Sequence, residues 1–258
     1  MVFPSFPAEV RDVLGQITSL AYPAKQGLTS QVVFVEARHG AVVVKRSTGR
    51  HVAALRREHA VLTALGMSDL PVPAPLLFVE HPRSDGSEGW LLMNRLPGVP
   101  VVQALHGMAD DAQSDALLAY LGRVLAQLHA TPAPPQVVLP GPSWLDVMLQ
   151  QAAINLATGV GEGSKADLDE LLNQRPAPVP PVLIHGDLFL DNVLATGSQV
   201  TGLIDWAFGA LGDPRYDLAL AHYDLTPRRR QALVAGYGAA GQLTGAELAY
   251  FGRLAAFF

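Results

Sequence analysis

The segment HGDLFLDNVLATGSQVTGLIDW, residues 185–206, sets three polar groups, Asp187, Asn192 and Asp205, among short apolar runs. VLI before His185, VLA after Asn192 and VTGLI before Asp205 each have the length and character of a buried strand. Burying unpartnered polar groups beside such strands is costly, so this stretch is expected to hold the three at strand ends and in the loop between them. That placement brings three oxygen-bearing groups toward one point. Hard cations such as Mg²⁺ take oxygen ligands, usually one or two carboxylates plus substrate phosphates. Asn192 can supply an amide oxygen without adding charge, which leaves Asp187 to orient a hydroxyl and accept its proton. Taken singly, the same residues are ordinary turn and strand-end formers.

The rest of the chain sets the bounds. Its 258 residues, 49% hydrophobic and 16% charged, suffice for one large domain or two modest lobes. Cysteine is absent, which excludes disulfides, thiolate metal sites and a cysteine nucleophile. No apolar run approaches bilayer length, and the start, MVFPSFPAEV, lacks a basic n-region and an apolar h-region. The expectation is a soluble, cytoplasmic protein with no membrane partner. The net charge of −5 is uneven: residues 1–104 carry 8 acidic and 10 basic groups (+2), and residues 105–258 carry 15 and 8 (−7). An acidic larger part argues against nucleic acid as a partner and tolerates a cationic small molecule; ordinary solubility charge explains the same numbers.

Along the chain, QVVFVEARHGAVVVKRS reads as a hairpin and HVAALRREHAVLTALG as a helix stopped by Gly66. FVEHPRSDGSEGWLLM reads as a second strand pair with a Ser-Asp-Gly-Ser tip, and LPGVPV, residues 96–101, as an irregular connection. The period then becomes helical, with Leu117, Leu121, Val124, Leu125 and Leu128 on one face. Two more helices follow in SWLDVMLQQAAINLAT, where Ser143 and Asp146 have capping-box spacing, and SKADLDELLNQ. Helices return from about Pro214, and the closing LAAFF is expected to pack on the core.

HGDLFLDN fits the kinase-like pattern H-x-D-x-x-x-x-N, and Asp205 falls where such enzymes keep the magnesium-binding aspartate of D-F-G. With HGD for HRD, IDW for DFG and the following GDPRYDLA, the chain resembles the aminoglycoside phosphotransferase family. Choline, homoserine and fructosamine kinases belong to the same broad group. The resemblance extends from about residue 25 to about residue 222, and its specific part is 185–217. It implies an α+β, two-lobed, protein-kinase-like fold: a small sheet-rich N-lobe, residues 1–95, and a larger, mainly helical C-lobe, residues 96–258. It also implies Mg²⁺-dependent transfer of the γ-phosphoryl group of ATP, or GTP, to a small-molecule hydroxyl, with Asp187 as catalytic base and Asn192 and Asp205 as metal ligands.

Such a site calls for a lysine on a strand and a glutamate on the next helix. AVVVK ends in Lys45, and Glu58 falls on the apolar stripe Leu55, Leu62, Leu65, where a buried carboxylate needs a cation. Lys45 is the natural partner, with Arg46, Arg56 and Arg57 facing water. The phosphate-covering turn is reduced to KQGLTSQVV. Gly27, Thr29 and Ser30 either offer groups to phosphate or form a plain turn. The missing glycine-rich loop disfavours a protein kinase, and no Walker motif occurs.

By resemblance, the backbone of Met93, Asn94 and Arg95 meets the nucleotide base. His185 supports the catalytic loop, and Asp213 and Asp217 cap a helix or tie that loop down. Asp191 faces either the acceptor or solvent. Arg228, Arg229 and Arg230 crowd a helix start, where they oppose the dipole. A nucleotide-binding pseudokinase is the alternative of a different class. The acceptor is any small hydroxylated molecule, an aminoglycoside or another amino alcohol or sugar included. Because only 53 residues follow Asp205 (258 − 205), the acceptor wall is short or the chain continues past Phe258.

Overall fold

The computed structural model describes residues 5–258 except 24, 25, 28, 39, 85, 109, 139 and 140. His39 of the expected Arg-His-Gly turn and Asp85 of the expected Ser-Asp-Gly-Ser tip lie outside the described residues. The fold is the α+β arrangement expected, a sheet-rich N-terminal part and a helical C-terminal part. It divides into two compact units: Met1–Pro97 with Gly202–Phe208, and Gly98–Thr201 with Gly209–Phe258.

The first unit runs α1 (Ala8–Leu14), β1 (Ile17–Ala21), β2 (Gln31–Ala37), β3 (Gly40–Thr48), α2 (Val52–Leu65), β4 (Pro75–Arg83) and β5 (Gly86–Asn94). Its strands form one sheet in the order β1-β2-β3-β5-β4, each neighbour antiparallel. Alternation sorts the side chains by face. Val33, Val35, Val42, Val44, Trp90 and Leu92 join Val10 and Leu14 of α1 in one buried cluster. The opposite face of β5 meets α2, where a Cβ added at Gly89 would lie 2.9 Å from Val52 and 3.6 Å from Leu55. Lys45, one residue beyond Val44 and paired in register with Leu91, therefore points toward α2. Pro75 and Pro82 are accommodated because β4 is an edge strand.

Arg46 departs from the expectation that it faces water. It points to the α1 face, where its guanidinium lies 5.7 Å from the Trp90 ring and donates to Glu88 (2.5 Å) and Gln31 (2.8 Å). Strand alternation next to an aromatic ring outweighs the exposure usual for arginine. Arg56, by contrast, makes an exposed pair with Glu80.

The second unit begins where sequence reading placed an irregular connection. Val99–Pro100 forms a two-residue strand, β6, paired with Ala195 and Leu194, and α3 (Val101–Gly107) starts at once. Gly98 makes this possible: its φ is +112°, and a Cβ there would fall 2.5 Å from the Ala195 carbonyl oxygen. The elements that follow are α4 (Asp111–Ala130), α5 (Trp144–Thr158), α6 (Lys165–Asn173), β7 (Val182–Ile184), β8 (Val193–Thr196), β9 (Gln199–Leu203), β10 (Ala210–Gly212), α7 (Pro214–Ala221), α8 (Pro227–Tyr237) and α9 (Gly245–Ala255). Side chains cap these helices as their sequences suggest. Asp110, Ser143, Asp213 and Thr226 accept from first-turn amides, and Ser164 with Asp167 and Thr244 with Glu247 form reciprocal boxes.

Helices α4 and α8 touch backbone to backbone. A Cβ on Gly122 would collide with the Leu233 carbonyl oxygen and lie 2.6 Å from the Tyr237 nitrogen, and one on Gly236 would collide with the Ala119 carbonyl. Arg228, at the crowded start of α8, pairs with Asp111 and Asp115 of α4, so carboxylates answer the charge that opposes the helix dipole there. At the C-terminal end Phe257 is buried, and its carbonyl accepts from Asn155 at 2.8 Å.

Gly122→Ala and Gly236→Ala should each lower stability by about 1–3 kcal/mol or more, because backbone must move to admit the methyl. Gly252→Ala, inside α9 with open space around it, should instead gain about 0.5–1 kcal/mol. Urea-denaturation midpoints distinguish the two outcomes.

Candidate active site

In the first unit, the Lys45 ammonium lies 2.6 Å from Glu58 Oε1 and 2.7 Å from Asp205 Oδ1. Strand alternation aims Lys45 at α2, and the helical stripe of Leu55, Glu58 and Leu62 aims Glu58 back at it. Lys45 and Glu58 are buried, whereas the Asp205 side chain is half exposed. Asp205 sits between β9 and a single 3₁₀ turn, Trp206–Phe208, with φ +71°, a left-handed conformation aspartate tolerates better than most residues. The turn is pinned by the buried Trp206 ring, whose N–H donates to the Leu203 carbonyl at 2.9 Å.

One cation thus serves two carboxylates. Burial alone would pull the Lys45 pKa down, but Glu58 and Asp205 outweigh it and hold the ammonium charged. Burial pushes Glu58 up against the pull of Lys45, and Asp205 adds to the push.

In the second unit, β7 delivers the loop 185–192. The Asp217 carboxylate, fully buried on α7, accepts the His185 N–H at 2.7 Å on one oxygen and the Gly186 N–H at 2.9 Å on the other. Gly186, at φ +79°, supplies the turn that a side chain would resist. The Asp187 N–H donates to His185 Nδ1 at 3.3 Å, so His185 supports the loop from inside. The Asn192 amide nitrogen donates to the Asp187 carbonyl at 2.8 Å and to its carboxylate at 2.9 Å. Both partners are acceptors, which fixes the orientation of the amide and leaves its oxygen as the atom able to ligate a cation. Asp187, half-buried, therefore presents an oriented carboxylate. Its charge is felt by the buried Tyr216 hydroxyl, whose pKa burial raises first, with Asp187 and Asp217 adding to the rise.

The other predicted residues fall as follows. Gly27 is exposed and Ser30 half-buried, and Gln26 ties back to β2. The Gln26 side chain accepts from the Val32 N–H at 2.6 Å and donates to the Val32 carbonyl at 2.9 Å. Met93 is buried in β5. The N–H groups of Asn94 and Arg95 are committed to the carbonyls of Ala74 (3.0 Å) and Ala41 (2.9 Å), so their carbonyl oxygens are what they can offer a base. Asp191 is exposed. Sequence reasoning missed Gln26, and it missed His129 and Tyr237, which extend the contacts of Asp217. A histidine closing an amphipathic helix reads simply as a favourable charge near a C-terminus, and Tyr237 lies 108 positions from it. Among the described residues no cluster of three or more His, Asp or Glu could hold a metal ion. The Asn192 amide oxygen and the Asp205 carboxylate are each hard oxygen donors, the kind Mg²⁺ takes together with phosphates.

A model of the phosphotransferase enzyme family matches residues 22–257. A homoserine kinase of Methylocella silvestris is 34% identical over 169 residues, 62% of this chain and 50% of that protein. A homoserine kinase of Pseudomonas aeruginosa is 31% identical over 229 residues, 82% of this chain and 69% of that protein. The chain spans about half the length of the first of these relatives. Among solved structures, an aminoglycoside-3'-phosphotransferase of type VIII matches with a TM-score of 0.76 at 24% identity, covering 96% of this chain and 97% of that one. A thermostable mutant of aminoglycoside phosphotransferase APH(4)-Ia, in ternary complex with AMP-PNP and hygromycin B, matches with a TM-score of 0.69 at 18% identity, covering 96% and 88%. Likeness at these identities establishes the fold. No helix among the described residues is long and apolar enough to cross a membrane.

Lys45→Met leaves Glu58 buried without its cation and should destabilise the protein by about 3–5 kcal/mol. Lys45→Met combined with Glu58→Leu should recover most of that loss, as read by chemical denaturation. A double variant no more stable than the single one would show that the pair is not the source.

Proposed function

The chain belongs to the phosphotransferase enzyme family, and from that premise we propose that it is a cytoplasmic small-molecule kinase. It moves the γ-phosphoryl group of ATP, with GTP as the variant donor, to a hydroxyl of a small acceptor. The observation that carries this reading is the double hold of Asn192 on Asp187, at its carbonyl and its carboxylate. A carboxylate so oriented suits a general base better than a turn-former.

In this reading the acceptor oxygen bonds to the γ-phosphorus, the bond from phosphorus to the β–γ bridging oxygen breaks, and the hydroxyl proton passes to Asp187. The nucleoside diphosphate leaves. Lys45, kept charged by Glu58, steadies the α- and β-phosphates, and Gly27 and Ser30 lie on the turn assigned to cover them. The backbone of Met93, Asn94 and Arg95 is assigned to the base. Asn192 and Asp205 are the residues that would hold Mg²⁺, which when bound would neutralise phosphate charge. Catalysis of this kind is mostly positioning and charge stabilisation, with the base adding about 10²–10⁴-fold. In this reading the first unit, Met1–Pro97 with Gly202–Phe208, carries Lys45, Glu58 and Asp205, and the second carries Asp187 and Asn192.

Homoserine-like amino alcohols are the first acceptors to test, since the relatives in sequence are homoserine kinases. Aminoglycosides come second, on the strength of the structural neighbours. With Mg²⁺ and ATP or GTP, acceptor-dependent diphosphate release is expected from the native chain. Asp187→Asn should lower kcat by about 10²-fold or more while nucleotide still binds. Nucleotide binding without turnover on any acceptor would point to a sensing or scaffolding role instead.

A further inference from the structure

The Asp217 carboxylate has a third donor besides the two loop amides. His129, on the last turn of α4, brings its Nε2 to 3.3 Å from Asp217 Oδ2, inside the protein. The other ring nitrogen, Nδ1, lies 2.8 Å from the hydroxyl of Tyr237, the last residue of α8. The two rings meet edge to face, with centroids 5.6 Å apart at 69°. The sequence builds this meeting in two ways. Gly122 and Gly236 let α4 and α8 touch through their backbones, and Gly241 lies so close beneath Tyr237 that a Cβ there would come within 2.7 Å of its ring.

The chemistry of the chain of contacts runs in one direction. A carboxylate only accepts, so Nε2 must be the donor to Asp217. A ring carrying a single proton then accepts at Nδ1, and the group placed beside it among the described residues is the Tyr237 hydroxyl. Burial first, and then the Asp217 charge, raise the pKa of that hydroxyl and keep it a donor. A buried network in which every member is satisfied holds its parts in one geometry.

We propose that Tyr237 and His129 are positioning residues for the loop 185–192: Tyr237 fixes the Nε2–H tautomer of His129, His129 fixes the Asp217 carboxylate, and Asp217 holds the His185 and Gly186 amides that set where Asp187 stands. Neither residue contacts the reacting groups. The consequence for turnover rests on the reading of Asp187 as the base; the consequence for the loop does not.

The test uses the full chain and three variants: Tyr237→Phe, which removes one oxygen atom; His129→Gln, whose side-chain amide can still donate to Asp217; and His129→Met, which cannot. Nitrogen NMR of the native protein should show His129 protonated at Nε2 and bare at Nδ1, and a ring protonated at both would overturn the directed chain. Hydrogen exchange at the His185 and Gly186 amides should quicken about tenfold or more in Tyr237→Phe, with exchange in the β2–β3 hairpin unchanged. Unaltered exchange at these two amides would overturn the proposal. With an accepted acceptor in hand, Tyr237→Phe should lower kcat several-fold with both KM values within about twofold. His129→Gln should retain more kcat than His129→Met, and equal losses in the two would count against positioning. Should no acceptor be turned over, tautomer and exchange still decide the matter, so failure of the kinase reading stays separate from failure of this one.

Discussion

One ammonium group shared by two carboxylates organises the first unit. Lys45 is drawn inward by the alternation of β3, and Glu58 is held opposite it by the helical period of α2. Asp205 is the third member, and the chain reaches it by leaving the second unit for only Gly202–Phe208 before returning. Burying such a triad costs desolvation that its Coulomb attraction repays only when the geometry is good; contacts of 2.6 and 2.7 Å meet that demand. Its value lies less in net stability than in specifying where a strand, a helix and a returning segment must meet.

The second unit solves a different problem with similar means. A loop rich in polar backbone has to be held still without a sheet to pair with. Asp217 takes two of its amides and Asn192 takes the Asp187 carbonyl and carboxylate, while Leu188 and Leu190 are buried between them in sequence. Polar atoms are satisfied locally and apolar ones anchor the loop, so the carboxylate of Asp187 inherits the rigidity of α7 and β7.

What the sequence disclosed and what it withheld follow from the range of the interactions. The β2–β3 hairpin, α2, α4 and the capped helices were legible because their causes lie within a few residues: alternation, helical period, a capping serine. The pairing of Lys45 with Glu58 was legible because an apolar stripe interrupted by a carboxylate demands a cation. Helix α1 escaped notice because its short apolar stripe of Val10 and Leu14 gains meaning only against a sheet formed later in the chain. LPGVPV looked irregular because its strand partner, β8, lies far downstream. Arg46 was assigned to water by residue type, yet alternation and Trp90 placed it otherwise. The committed amides of Asn94 and Arg95 could be counted only once their carbonyl partners were known.

The contact between α4 and α8 has a mechanical meaning. Most helix pairs are separated by a layer of side chains that can shear by hopping between rotamers. Here carbonyl oxygens and glycine α-carbons meet with no such layer at Gly122 and Gly236. The pair has lost its lubricant, so a push on the outer end of α8 would be transmitted through the unit as through a strut. A side chain added at either glycine would press on the backbone of the partner helix, so a change in one helix has to be answered in the other.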